Sequence, residues 1–168
     1  MKVLKYFILI FSVLCFVSCG SKEKKNEGFT YEKKTESVVK EVAGNSNDVV
    51  ITGNDAMQFN KKEIRVDAGK KVKITLRHIG KMDKNVMGHN FVILKKGVDL
   101  VQFANKAATA RESDYIPEGG DQVIVHTKLI GGGETVVIEF DAPESGTYDF
   151  LCSFPGHYAL MKGKFIVE

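Results

Sequence analysis

A cysteine, a histidine and a methionine share one short stretch near the end of the chain. It reads Cys152-Ser153-Phe154-Pro155-Gly156-His157-Tyr158-Ala159-Leu160-Met161-Lys162-Gly163, a C-x4-H-x3-M spacing. Thiolate, imidazole and thioether are soft or borderline donors, and gathered on one loop they suit copper better than a hard cation. One loop does not complete a site, so a second imidazole has to come from elsewhere. His89, in Val86-Met87-Gly88-His89-Asn90, is the candidate. This set supports a one-electron copper site, with His89, Cys152 and His157 in a trigonal plane and Met161 as a weak axial ligand. Taken singly, each residue has a plainer reading: Cys152 as a small buried hydrophobe, Met161 as core filler, His157 as a surface residue. Their conjunction, with Pro155-Gly156 shaping the backbone between them, favours the metal.

The elements that must position these side chains are mostly strands. Val72, Ile74 and Leu76 alternate with Lys71, Lys73 and Thr75, the pattern of a half-buried strand. Similar runs cover Val49-Val50-Ile51, Ile64 with Val66, Val123 with Val125, and Thr135 to Phe140. His89 to Leu94 is expected to be a strand following a loop from Gly80 to Gly88. Thr147 to Cys152 delivers the thiol, and Gly163 to Val167 closes the sheet. One helix is expected from Asp99, where Leu100, Phe103, Ala104, Ala107, Ala108 and Arg111 follow helical spacing and Asp99 with Gln102 makes a capping-box pattern. It reads as a flap outside the sheet. Gly131-Gly132-Gly133 lacks the lysine of a phosphate loop and reads as a turn. Many short strands with regular turns imply an all-β, two-sheet antiparallel sandwich.

At 168 residues the chain accommodates one domain with appendages. It has no tryptophan, and its net charge of +3 argues against a nucleic-acid partner. Residues 1–46 hold eight lysines and five glutamates of the 24 basic and 21 acidic residues, so 47–168 is formally neutral. Long-range steering should be weak, and docking should rely on an apolar patch.

The N-terminus reads as a targeting signal. Met1-Lys2-Val3-Leu4-Lys5 is basic, and Tyr6 to Val17 is an apolar run too short to span a bilayer comfortably. Phe16-Val17-Ser18-Cys19 resembles a bacterial lipoprotein signal, with residues 1–18 removed and Cys19 lipidated. An ordinary signal peptide or an uncleaved anchor are the alternatives; each places the domain outside the cytoplasm. Residues 19–46, rich in Lys and Glu, form a charged tether, and 47–168 the copper domain. Cys15 then leaves with the signal and Cys19 carries lipid, so Cys152 is the folded domain's one thiol and has no intrachain disulfide partner. A lone thiol in an oxidising compartment needs burial or a metal.

Four stretches together resemble the azurins, blue copper proteins of the cupredoxin family. They are the ligand loop Cys152 to Gly163, Asn85-Val86-Met87-Gly88-His89-Asn90, His126-Thr127-Lys128-Leu129-Ile130-Gly131, and Gly53-Asn54-Asp55 with Met57-Gln58-Phe59-Asn60. The resemblance runs from about Asn47 to Val167. It implies an eight-stranded Greek-key sandwich with one helical flap, and a type 1 copper shuttling single electrons. It further implies the Gly88 carbonyl as a second weak axial contact, Asn90 tying the two ligand loops together, and the Phe154 N–H aimed at the Cys152 sulfur. His157, ringed by Met57, Met87 and Phe154, would be the electron exit. Partners would be redox proteins such as c-type cytochromes or copper oxidoreductases, met by a monomer held at a bacterial membrane in the periplasm through its lipid anchor alone.

The chain departs from that family in places. The positions matching the azurin disulfide fall at Asn47 and Lys70, so the bond is absent. Phe91 stands where many azurins have a buried tryptophan, and the flap is poorly matched. His78 and His126 each read as a satisfied or a surface histidine, not as ligands; His78 resembles an azurin histidine that titrates near the site without binding metal. Two other functions compete. A cysteine nucleophile with His157 as base leaves Met161 and the Pro-Gly turn unexplained. A copper buffer or copper oxidase would call for a methionine cluster or further histidine-rich motifs, and the sequence has neither.

Overall fold

The computed structural model describes residues 46–168. The expected signal peptide, with Cys19 and all but the last residue of the expected tether, lies outside the described residues. Within them the chain forms β1 (Asp48–Asn54), β2 (Gln58–Phe59), β3 (Glu63–Val66), β4 (Lys71–His78), α1 (Lys84–Met87), β5 (Val92–Leu94), α2 (Leu100–Ala107), β6 (Val123–His126), β7 (Thr135–Asp141), β8 (Gly146–Leu151) and β9 (Lys162–Val167). Two sheets pack face to face, ordered β2-β1-β4-β7 and β3-β9-β8-β5-β6. The ninth strand, beyond the eight expected, is the two-residue β2.

Not every pairing is antiparallel. β1 lies parallel to β4, with Val49 opposite Ile74, and β3 lies parallel to β9, with Ile64 opposite Phe165. After β1 the chain crosses to the other sheet for β3 and returns as β4, so the crossover that a parallel pair needs is a strand here instead of a helix. Side-chain alternation has the same period in either direction, and for that reason the sequence did not reveal it.

The inward faces meet in a core that includes Ile51, Ile74, Leu76, Phe150 and Phe165, all fully buried. Phe91 fills the expected tryptophan position, with its ring centroid 6.3 Å from Phe59 and 5.1 Å from Phe150. β5 is buried on both faces. Ile93 points into the sandwich, while Val92 and Leu94 meet Phe103, Ala104 and Ala107 of α2 on the outside. The flap therefore covers an apolar outer face of the five-stranded sheet. Asp99 caps α2 by accepting from the Gln102 N–H at 2.9 Å. The helix ends at Ala107, short of the expected Arg111, which lies in a 3-10 turn. The Thr109 hydroxyl donates to the Lys106 carbonyl at 3.0 Å, the kind of local bond that competes with helix continuation.

No disulfide joins positions 47 and 70, and a polar clasp binds the same region. The Asn47 side chain is 1% exposed. Its Nδ2 donates to the Asp67 carbonyl at 3.1 Å and its Oδ1 accepts from the Asp67 N–H at 2.9 Å. The Lys73 N–H donates to the Asn47 carbonyl at 2.7 Å, tying the start of β1 to β4.

Candidate metal centre

The ligand loop leaves β8 and returns to β9 at one end of the sandwich. It closes on itself: the Cys152 N–H donates to the Met161 carbonyl at 2.9 Å, and the Met161 N–H to the His157 carbonyl at 2.7 Å. Gly156, at φ 80°, makes the left-handed turn that sends His157 inward, a conformation glycine adopts without penalty. The loop is thus a closed hydrogen-bonded ring carrying Cys152, His157 and Met161, all buried.

His89 comes from the other sequence motif. It stands on a bridge to Ile130, with the His89 N–H to Ile130 carbonyl and the reverse bond each 2.9 Å. Two residues on, the Phe91 N–H donates to the Thr127 hydroxyl at 2.9 Å and the Thr127 N–H to the Phe91 carbonyl at 3.0 Å. The 126–131 stretch is accordingly the splint that holds the His89 segment. The His89 ring is clamped edge-on by Gly53 and stacked on His78, with centroids 4.2 Å apart.

Its hydrogen bonding settles the tautomer. Nε2 faces the Asn54 carbonyl at 3.0 Å, an acceptor only, so Nε2 carries the proton and donates. Nδ1 then holds a bare lone pair. It is buried, and it is the one buried side-chain polar atom among the described residues without a hydrogen-bond partner. A native interior leaves such an atom unmatched only for a reason, and a metal ion is one such reason.

The ligating atoms of His89, Cys152 and His157 all lie within 4.8 Å of one another. The Cys152 sulfur is 3.7 Å from Nδ1 of His157 and 3.9 Å from the Gly88 carbonyl oxygen. Burial pushes the thiol up to about 12, opposed by backbone N–H groups of Asn90 and Phe154 that point at the sulfur. Burial also holds His157 down, to about 4, with the nearby His89 and His78 adding to the effect. His89 is lowered as well, again chiefly by burial, although its bond to Asn54 works the other way. Two neutral imidazoles and a dry thiol therefore converge on one point. A soft or borderline cation that displaces the thiol proton fits this donor set, and a hard one does not.

Asn90 bonds to Ser153 of the loop. Its Oδ1 accepts from the Ser153 N–H and its Nδ2 donates to the Ser153 hydroxyl, each at 2.8 Å. Nδ2 also reaches the Asp114 carbonyl at 2.8 Å, and the Asn90 N–H adds a bond to sulfur that the sequence did not announce. His78 is a satisfied core histidine: Nε2 donates to the Met87 carbonyl at 2.8 Å, and Nδ1 accepts from the Gly80 N–H at 3.0 Å. His126 is exposed.

The surface at this end differs from expectation in one respect. The loop is exposed at Pro155 and Gly156, but the His157 side chain is only 3% exposed. The Phe154 ring at 4.6 Å and the His89 ring at 5.2 Å flank it. Met57 and Met87 are half-buried. Leu160 at 50% and Val86 at 57% are more open, and the sequence reading did not single them out for this face.

A β-sandwich that brings one thiol and two neutral imidazoles to a dry point beside a backbone carbonyl defines the mononuclear copper class of cupredoxins, with a type 1 site. Residues 46–168 match the copper binding proteins of the plastocyanin/azurin family. The chain is 46% identical over 120 residues to an azurin of Alcaligenes faecalis, covering 69% of this chain and 94% of that one. It is 47% identical over 120 residues to azurin-1 of Alcaligenes xylosoxydans xylosoxydans, covering 68% and 92%. Among solved structures it resembles a dithionite-reduced auracyanin from Roseiflexus castenholzii, with a TM-score of 0.67, 34% identity, and 74% and 99% coverage. An azurin from Methylomonas sp. strain J gives a TM-score of 0.66 at 31% identity, with 72% and 97% coverage. The chain belongs to the plastocyanin/azurin family of copper-binding proteins.

Proposed function

We propose that the protein is a blue copper electron carrier, passing single electrons between redox proteins outside the cytoplasm. The observation that carries this is the bare, buried Nδ1 of His89 beside the Cys152 thiol and the His157 imidazole. His89 Nδ1, Cys152 Sγ and His157 Nδ1 would hold the metal, with the Met161 thioether and the Gly88 carbonyl as further weak donors. Copper bound there supplies a Cu(I)/Cu(II) couple that this ligand set accommodates in both states. The protein's own part is to hold the donors still. The Asn90 and Phe154 N–H groups stabilise the thiolate, the closed loop fixes His157, and the apolar surroundings exclude water.

Electrons would leave through the His157 edge, between Met57, Met87 and Phe154, to partners such as c-type cytochromes or copper oxidoreductases. The alternative of a catalytic cysteine meets an opposing observation. A nucleophilic thiol needs a lowered pKa and access, and Cys152 is fully buried with its thiol pushed up to about 12. The Cys19 lipid anchor and the periplasmic location rest on the sequence at residues 1–19, as does the monomeric state on the resemblance.

Potentiometric titration of the copper-loaded protein should show one reversible one-electron wave; the absence of any wave would refute the carrier role. His157→Gly should leave the fold intact and slow electron exchange by at least tenfold, and unchanged exchange would refute the exit route. The intact mass of the mature protein decides the anchor, since an unmodified Cys19 would exclude lipidation.

A further inference from the structure

The flap rejoins the sandwich through residues 111–115, and this short turn reaches both ligand loops. Arg111 Nη2 donates to Asn85 Oδ1 at 3.0 Å, on the helix that runs into Gly88. The Asp114 carbonyl accepts from Asn90 Nδ2 at 2.8 Å, the same nitrogen that bonds the Ser153 hydroxyl. The Tyr115 ring, 7% exposed, meets the Phe154 ring edge-on at 5.1 Å and 65°. Phe154 in turn lies 4.6 Å from the His157 ring, and its N–H points at the Cys152 sulfur.

The backbone here is strained. Asp114 and Tyr115 are consecutive non-glycine residues at φ 54° and φ 61°, both left-handed. Each such residue is disfavoured by its own Cβ, and a pair persists only when its surroundings hold it. The contacts that hold it run to the metal centre: the Asp114 carbonyl to Asn90, and the Tyr115 ring to Phe154. The Tyr115 N–H, donating to the Ala110 carbonyl at 2.9 Å, anchors the other side of the turn to the flap.

We propose that Tyr115 is a positioning residue of the copper site. Its ring braces Phe154, which sets both the N–H bond to the Cys152 sulfur and the tilted ring contact with His157. This rests on the copper reading above. Its chemical consequence follows from the N–H bond: a donor to the thiolate withdraws charge and favours the reduced metal, so a looser Phe154 shifts the potential downward.

The test compares Tyr115→Phe and Tyr115→Leu in the whole chain. Copper-loaded Tyr115→Leu should show a lower reduction potential and a displaced thiolate-to-copper absorption band, while Tyr115→Phe, which keeps the ring, should match the parent in both. In the metal-free protein, exchange of the Phe154 amide should rise about tenfold or more in Tyr115→Leu and not in Tyr115→Phe. That readout needs no copper, so failure of the carrier role and failure of this proposal are separable. If Tyr115→Leu does not fold, Tyr115→Met removes the ring at closer volume and should give the same signs. Potential, band and Phe154 exchange all equal to the parent in a folded ring-less variant would overturn the proposal. So would an equal shift in Tyr115→Phe.

Discussion

Gly53 lies against the edge of the His89 ring: a Cβ added to it would stand 2.6 Å from His89 Cδ2 and 3.3 Å from Nε2. Gly53 sits on β1, paired with His78 on β4, so the strand has little room to retreat. His78 stacks on the ring's face. The ring position that aims Nδ1 at Cys152 therefore depends on a side chain that is absent. Gly53→Ala should tilt the ring, weaken the bond to the Asn54 carbonyl and lower copper affinity by about tenfold to a hundredfold, the range typical of disturbed outer-shell partners. A competition titration with a chelator measures it, and unchanged affinity would contradict the clamp.

The Asn47 clasp carries its own expectation. Asn47→Ala would strip both backbone groups of Asp67 of their partners in a part-buried position. The cost should be about 2 kcal/mol, combining lost bonds with newly unmatched groups. Chemical denaturation of the metal-free domain checks this. The copper spectrum should not change, since the clasp makes no bond to the ligand loops.

Copper uptake should have a defined proton count. The thiol is raised to about 12, so in the metal-free fold it keeps its proton through neutral pH. Both ligand histidines are lowered, His157 to about 4, so neither carries a proton to give up at pH 7. Binding then releases close to one proton per copper, and apparent affinity rises about tenfold per pH unit across neutrality. As pH falls toward 4, His157 takes up a proton that must also be lost, and the dependence steepens. Calorimetry in buffers of different ionisation heat gives the count; two or more protons released at pH 7 would contradict it.

Much of the site was legible in the sequence because ligand chemistry is a matter of residue type and spacing. Cys152, His157 and Met161 share one loop, and His89 stands in a second short motif, Gly88-His89-Asn90. What was hidden follows from the backbone. The parallel β1–β4 and β3–β9 pairs leave the same alternation as antiparallel ones. The Asn90 N–H on sulfur is a main-chain donor, and any residue would offer it. Tyr115 became visible as a neighbour of Phe154 only once the flap was placed. The burial of His157 came from the flanking Phe154 and His89 rings, one of them 68 residues away in the chain.

The central claim is that the Cys152 sulfur, between His89 and His157, binds copper as a thiolate. The direct measurement is the visible spectrum of the copper-loaded protein beside that of Cys152→Ser. The account expects an intense thiolate-to-copper(II) band in the parent, bleached reversibly by a mild reductant, and no such band in Cys152→Ser. A colourless Cu(II)-loaded parent, or a band that survives in Cys152→Ser, would contradict it.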